Sequence, residues 1–204
     1  MPAITLYDAP GTCALAVRIA LEEAQADYTL KRLDFAAQQQ RSPEYLALNP
    51  KGRVPALVTE HGVLTEATAL LVYVAQRFPA AGLAPTDPFE LAKMQELNSY
   101  LASTVHVAHA HGRRAARWAD EPEAIAAMQR KVAANMVECF TLIEQHYLQA
   151  GPWVLGERYS VGDAYLYTVA SWLKGDGVDI AQFPRVHAHF ERVAARPATQ
   201  RALA

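Results

Sequence analysis

The sequence predicts two joined parts: a small mixed α/β domain over residues 1–78 and an all-α, helical-bundle domain over residues 89–204. Three observations predict this. Up to Phe78, short apolar runs bounded by turn residues alternate with stretches whose apolar residues recur at helical spacing. From Phe78 to Pro88 (FPAAGLAPTDP), Pro79, Gly82, Pro85 and Pro88 erase any periodicity and mark a linker over residues 79–88. Beyond it, every apolar pattern has the period of a helix.

In the first part, Ile4 to Tyr7 reads as a strand closed by Asp8-Ala9-Pro10-Gly11. Thr12 then caps a helix carrying Leu15, Ala16, Ile19 and Ala20 on one face. Tyr28 to Leu33 alternates and predicts a second strand. Arg41 to Leu48 predicts a short helix with Ser42 as cap, Pro43 in its first turn and Glu44 behind it. Ala56 to Thr59 is a third strand, His61-Gly62 a tight turn, and Val63-Leu64 a fourth. Thr65 is placed as the cap of a helix whose stripe is Ala67, Leu70, Leu71, Val74 and Ala75. A β-α-β start followed by β-β-α is the thioredoxin-like order.

In the second part, Asp87-Pro88-Phe89-Glu90 supplies an N-cap, a first-turn proline and a capping-box glutamate. One long helix is expected from Leu91 to about Trp118, and another from Pro122 to about Leu148, with Ile125, Met128, Val132, Met136, Cys139 and Ile143 facing inward. Ser160-Val161-Gly162-Asp163 is a capping box ahead of an apolar helix from Ala164 to Leu173, and Pro184 to Ala195 is the last clear helix.

The totals bound the function. A chain of 204 residues that is 51% hydrophobic and 20% charged has an ordinary globular balance. Its net charge of −2 gives no reason to expect a nucleic acid partner, and no apolar run is long enough for a membrane span. MPAITLYDAP lacks the form of a signal peptide, and Cys13 and Cys139 have no framework spacing, so free thiols in a reducing cytoplasm are expected.

The chemistry concentrates in Asn49 to Leu70. Pro55 stands at the entrance to a strand, where a cis Val54-Pro55 bond would turn the Val54 N–H and C=O outward, free to pair with a ligand's peptide groups. Just beyond, Glu66 opens a helix whose first N–H groups would hold a carboxylate, while its side chain takes an ammonium. A peptide-pairing edge beside a zwitterion site suggests a peptide-like ligand with a free α-amino acid end. This segment resembles the glutathione site of the glutathione transferase family. The resemblance implies that Val54-Pro55 binds the cysteinyl backbone and that Glu66 with Ala67 holds the γ-glutamyl end. Relatives often carry Ser or Gly where Ala67 stands, so its N–H alone remains. Arg53 and Lys51 are the candidates to neutralise the glycyl carboxylate.

Cys13 falls at the start of the first helix, where a thiolate is favoured, and Ala16 excludes a Cys-x-x-Cys couple. Read alone, it is better taken as a small residue packed at a helix start. Tyr7 to Leu15 (YDAPGTCAL) resembles the opening of the bacterial beta-class transferases, in which the cysteine touches glutathione sulfur. That resemblance ranks Cys13 first, Thr12 second and Tyr7 third as the group nearest the sulfur. His106 matches a beta-class histidine that faces the sulfur, although Val107-Ala108 replaces the usual Lys-Gly. His106 and His109 share a helical face, but without a third ligand at metal spacing no metal is expected. His109, Arg113 and Arg117 are acceptor-pocket candidates, against the plainer reading of a solvated helix end.

The resemblance therefore implies a cytoplasmic detoxifying enzyme that joins glutathione, as co-substrate, to a small electrophile. It also implies a homodimer. Two rivals remain open: a glutathione-dependent thiol–disulfide oxidoreductase using Cys13, and a non-catalytic glutathione-binding stress protein.

Overall fold

The computed structural model describes residues 4–204. The chain divides into two units: one runs up to Pro85 and includes Ala195–Ala204, and the other is Thr86–Ala194.

The first unit holds β1 (Ile4–Asp8), α1 (Ala14–Glu23), β2 (Tyr28–Arg32), α2 (Pro43–Leu48), β3 (Ala56–Thr59), β4 (Gly62–Thr65) and α3 (Ala67–Arg77). The four strands form one sheet in the order β2-β1-β3-β4. β1 and β2 are parallel, Ile4 opposite Tyr28, whereas β3 runs antiparallel to both β1 and β4. Ile4, Leu6 and Asp8 point to one buried face, as the period of two requires. Leu70, Leu71 and Val74 of α3 and Val17, Ile19 and Leu21 of α1 are fully buried. The mixed α/β order is the expected thioredoxin-like one.

The local signals acted largely where they stood. The Ser42 side chain accepts from the Tyr45 N–H and starts α2, with Pro43 in its first turn. Two expectations need correction. The hairpin turn is Glu60-His61, because Gly62 already pairs with Thr59. Thr65 does not cap α3 but ends β4 opposite Ala56, and the residue before the helix is Glu66, with φ of +73° and no capping side-chain bond.

A third addition was not foreseen. A last helix, Pro197–Leu203 (α9 in chain order), packs on α1 and not with the helices before it. Arg196 ion-pairs Glu23, and Arg201 holds Glu22 at 2.8 Å. Arg18 of α1 donates to the Arg201 carbonyl.

The second unit is helical throughout, apart from two isolated bridges among Trp153–Arg158. Asp87 accepts from the Phe89 and Glu90 N–H groups and starts α4 (Pro88–Tyr100). The Glu90 side chain does not close a capping box; it pairs with Arg158. The expected single helix to Trp118 is a composite: α4 runs through a π-helical turn (Leu101–Val105) into α5 (His106–Arg113). It stops at Arg114, just after the weak helix former Gly112, and a 3₁₀ turn (Ala115–Arg117) follows. α6 (Pro122–His146) buries Val132, Met136, Cys139, Phe140 and Ile143, while Ile125 and Met128 are only half-buried. α7 (Val161–Ala170) is buried along its whole length and forms the centre of this unit's core. It ends before Leu173: the Ser171 hydroxyl donates to the Thr168 carbonyl, a bond that competes with helix continuation. α8 is Pro184–Ala194.

The predicted capping box at the start of α7 is complete. Asp163 Oδ2 accepts from the Ser160 N–H at 2.8 Å, and the Ser160 hydroxyl accepts from the Gly162 N–H. The other oxygen of Asp163 takes the Val154 N–H at 2.8 Å and faces His189 Nε2 at 2.9 Å, both side chains being fully buried.

Candidate functional site

The site in the first unit follows from the sheet register. Ala56 pairs with Tyr7 on one side and with Thr65 on the other. The residues that follow Tyr7, those that precede Ala56 and those that follow Thr65 therefore leave the sheet at the same end. These are the loop to Cys13, the Val54-Pro55 pair, and Glu66-Ala67. Three segments far apart in the chain thus meet at one edge.

The first segment turns sharply through Gly11, which has φ of +71°. The Thr12 hydroxyl donates to the Ala9 carbonyl at 2.7 Å and accepts from the Ala14 N–H at 3.4 Å, which fixes the turn and delivers Cys13 to the head of α1. Cys13 is 8% exposed, and its Sγ lies 3.9 Å from the Val54 carbonyl oxygen. Thr12 is thus engaged in shaping the backbone. Tyr7 lies on the opposite face of β1, its ring against Tyr45 at 5.5 Å and its hydroxyl 3.4 Å from Lys31 Nζ. Of the three candidates, Cys13 is the one whose side chain meets the Val54 backbone.

The second segment is held from behind. The peptide bond Val54-Pro55 is cis. The preceding Arg53 carbonyl accepts two hydrogen bonds, from the Tyr45 hydroxyl at 2.6 Å and from Asn49 Nδ2 at 2.7 Å. Both donors are buried, and burial raises the Tyr45 phenol above its ordinary range, keeping its proton on the donor. Gly52 completes the turn: φ is +58°, and a Cβ there would stand 2.9 Å from the Gln40 carbonyl oxygen. The Arg53 side chain itself is exposed. Tyr45 and Asn49 were not singled out from the sequence; Asn49 was legible only as a turn former.

The third segment carries charge. Lys51 Nζ sits 2.5 Å from Glu66 Oε1 and 2.9 Å from Thr65 Oγ1. Lys51 therefore occupies the Glu66 carboxylate. Both partners are about half exposed or more, so the pair is weak and exchangeable. Ala67 begins α3, and the Leu70 N–H is the first to find a helical acceptor, Glu66 O. The N–H groups of the first turn are thus available to an anion.

The second unit places its candidates on α5. His106 and His109 lie one turn apart, ring centroids 6.4 Å from each other, and both pack on Trp172. His109 Nδ1 faces both oxygens of Asp176. Arg113 and Arg117 lie beyond, exposed, at and after the helix end. Neither Trp172 nor Asp176 was marked in the sequence, since nothing in a Trp-x₃-Asp spacing signals a partner some 70 residues earlier. Cys139 is a buried thiol whose pKa burial pushes up, as expected of a small core residue. Among the described residues, no cluster of His, Cys, Asp and Glu is arranged to hold a metal ion, and no helix is long and apolar enough to cross a membrane.

Two family models match the chain: Glutathione S-transferase, N-terminal domain, over residues 2–76, and Glutathione S-transferase, C-terminal domain, over residues 108–192. Glutathione S-transferase GstA of Escherichia coli O157:H7 is 32% identical over 97% of this chain and 96% of its own. A glutathione transferase homologue from Sulfitobacter, solved with bound glutathione, superposes with a TM-score of 0.96 at 47% identity, covering 100% of this chain and 98% of its own. A bacterial beta-class glutathione S-transferase from Sphingomonas chungbukensis superposes at 0.84 with 31% identity, covering 98% and 96%.

Proposed function

The chain belongs to the glutathione S-transferase family, and from that premise we infer how its residues divide the work. The enzyme joins the sulfur of glutathione to a small electrophile. Glutathione lies along the edge that the register assembles. Its cysteinyl backbone pairs with Val54, beside Pro55; its γ-glutamyl ammonium displaces Lys51 from Glu66; and the α-carboxylate takes the Ala67 N–H at the head of α3. Lys51, once released, and Arg53 are the cations for the glycyl carboxylate. The observation that carries this reading is the pairing of Ala56 with both Tyr7 and Thr65, which brings Cys13, Val54 and Glu66 to one end of the sheet.

Cys13 is the thiol beside the sulfur, in the manner of the beta class, and Thr12 holds its loop. His106 is the proton acceptor: as the glutathione S–H ionises, the imidazole takes the proton, and the thiolate forms a C–S bond to the electrophile. His109, Arg113 and Arg117 belong to the acceptor pocket. A homodimer working in detoxification in the cytoplasm completes the reading.

The test is glutathione titration by calorimetry, followed by turnover of a panel of electrophiles and mixed disulfides. A dissociation constant between about 1 µM and 1 mM is expected, roughly −8 to −4 kcal/mol. No binding at millimolar glutathione would overturn the assignment. Turnover of mixed disulfides alone would move it to a Cys13 oxidoreductase.

A further inference from the structure

One charge of the glutathione edge is already matched from within the chain. Lys51 Nζ lies 2.5 Å from Glu66 Oε1 and 2.9 Å from Thr65 Oγ1, although Lys51 and Glu66 are 15 positions apart. The backbone on each side of this tie is fixed independently of it. Asn49 Oδ1 accepts from the Lys51 N–H at 3.2 Å, and the Gly52 N–H donates to the Asn49 carbonyl at 2.9 Å, which holds the turn. Glu66 stands between β4 and α3 with φ of +73°, a rare conformation for a residue with a side chain, and its carbonyl accepts from the Leu70 N–H at 3.0 Å.

Only side chains therefore join the two places. The Lys51 and Glu66 side chains are 48% and 63% exposed. A lysine ammonium is a compact charge on a flexible stem, so the pair can open while the turn and the helix stay as they are. A site whose competent form is only part of the population binds with an affinity lowered by that fraction. The closed Lys51–Glu66 pair imposes such a reduction on any ligand whose ammonium needs the Glu66 carboxylate.

We propose that Lys51 is a specificity-determining residue that couples the two ends of the ligand. By competing for Glu66, it makes the site favour peptides charged at both ends, with an α-ammonium and a terminal carboxylate, over peptides whose carboxyl end is blocked. The inference rests on the glutathione reading above. When glutathione binds, one ion pair is exchanged for two: the ligand ammonium joins Glu66, and the released Lys51 joins the glycyl carboxylate. When the carboxyl end is blocked, one pair is exchanged for one, and Lys51 is left unmatched. The same lysine is thus nearly neutral toward the first ligand and opposes the second.

The experiment is calorimetry on the full chain, parent and Lys51→Met, with two ligands. One is glutathione, and the other is its glycinamide, in which a carboxamide replaces the glycyl carboxylate. Removing Lys51 should tighten the amide ~2–5-fold, the factor expected of an exposed ion pair that no longer has to be broken. Glutathione should stay within about twofold, since it loses one pair with the lysine and no longer has to open the other. A lysine that only binds the glycyl carboxylate would instead weaken glutathione and leave the amide unchanged, and a lysine outside the site would change neither. Either result would overturn the proposal. A parent that binds neither ligand would fail the glutathione reading itself. A parent that binds both, with the amide no tighter in Lys51→Met, would fail this inference alone.

Discussion

Replacing Asp163 by alanine should remove a large share of the stability of the second unit. The carboxylate is fully buried and accepts from four groups: the Ser160 N–H, the Ser160 hydroxyl, the Val154 N–H and His189 Nε2. Loss of a helix cap alone costs about 1 kcal/mol. Here two backbone donors and a buried imidazole are orphaned together, at ~1–3 kcal/mol for each uncompensated group. The groups share one network, so the terms do not add, and removing one member of a buried pair typically costs ~3–5 kcal/mol. About 4 kcal/mol is the expected loss, a large share of the ~5–15 kcal/mol that keeps a domain folded. Urea unfolding followed by circular dichroism reads it directly: at a slope of roughly 2 kcal/mol per molar, the midpoint should fall by about 2 M. His189→Ala should cost less, and the double variant little more than Asp163→Ala alone. A midpoint shift under about 0.5 M for Asp163→Ala would refute the reasoning, since it would mean the orphaned donors find water.

Four further outcomes follow from the geometry. Glu66→Ala should weaken glutathione binding by ~1–3 kcal/mol in calorimetry, the ligand ammonium having lost its carboxylate; undiminished affinity would move the ammonium elsewhere. Cys13→Ala should abolish the glutathione adduct seen by mass spectrometry after oxidation, yet retain much of the conjugating activity, because glutathione brings its own thiol; total loss in a folded variant would make Cys13 the nucleophile. His106→Ala should lower kcat by ~10²-fold with little change in glutathione affinity, which steady-state kinetics will show. Asp8→Asn should stabilise the first unit at neutral pH. Burial raises the Asp8 pKa against the opposing pull of Arg32 and Arg18, and its Oδ1 has no hydrogen-bond partner. A raised carboxyl favours the folded state fully below its unfolded value of 3.8 and loses that contribution as pH rises through the folded value. The gain from Asn should therefore appear in thermal melts near pH 7 and vanish in acid.

The segments whose signals are local were legible in the sequence. The Ser42, Asp87 and Ser160 caps and the short apolar strand β1 need only neighbouring residues to act, and each formed where it was expected. The closeness of Val54-Pro55 to Glu66-Ala67 was legible for a related reason, since the two pairs flank a single hairpin. What escaped depends on distant partners. Glu90 had a capping-box position, but Arg158 offered a full charge, which outweighs a backbone donor. Thr65 looked like a cap until the pairing of β4 with β3 claimed it. The Asp176–His109 pair joins residues 67 positions apart, and no spacing rule announces such a meeting. The break after Arg113 was missed because the apolar pattern continues through Ala115, which is buried in the 3₁₀ turn beyond.

The docking of α9 on α1 sets an order of events for the living cell. Glu22 and Glu23 meet their arginine partners 179 and 173 residues later. A ribosome releases the β-α-β-α-β-β-α core early, at roughly 5–20 residues per second, but must then translate the entire helical unit before α9 exists. During that interval, of the order of ten seconds at that rate, the outer face of α1 has no helix covering it and Glu22 and Glu23 have no arginines. The half-made protein therefore presents a defined surface at a defined time. A nascent-chain chaperone has that window in which to act before α9 covers the surface.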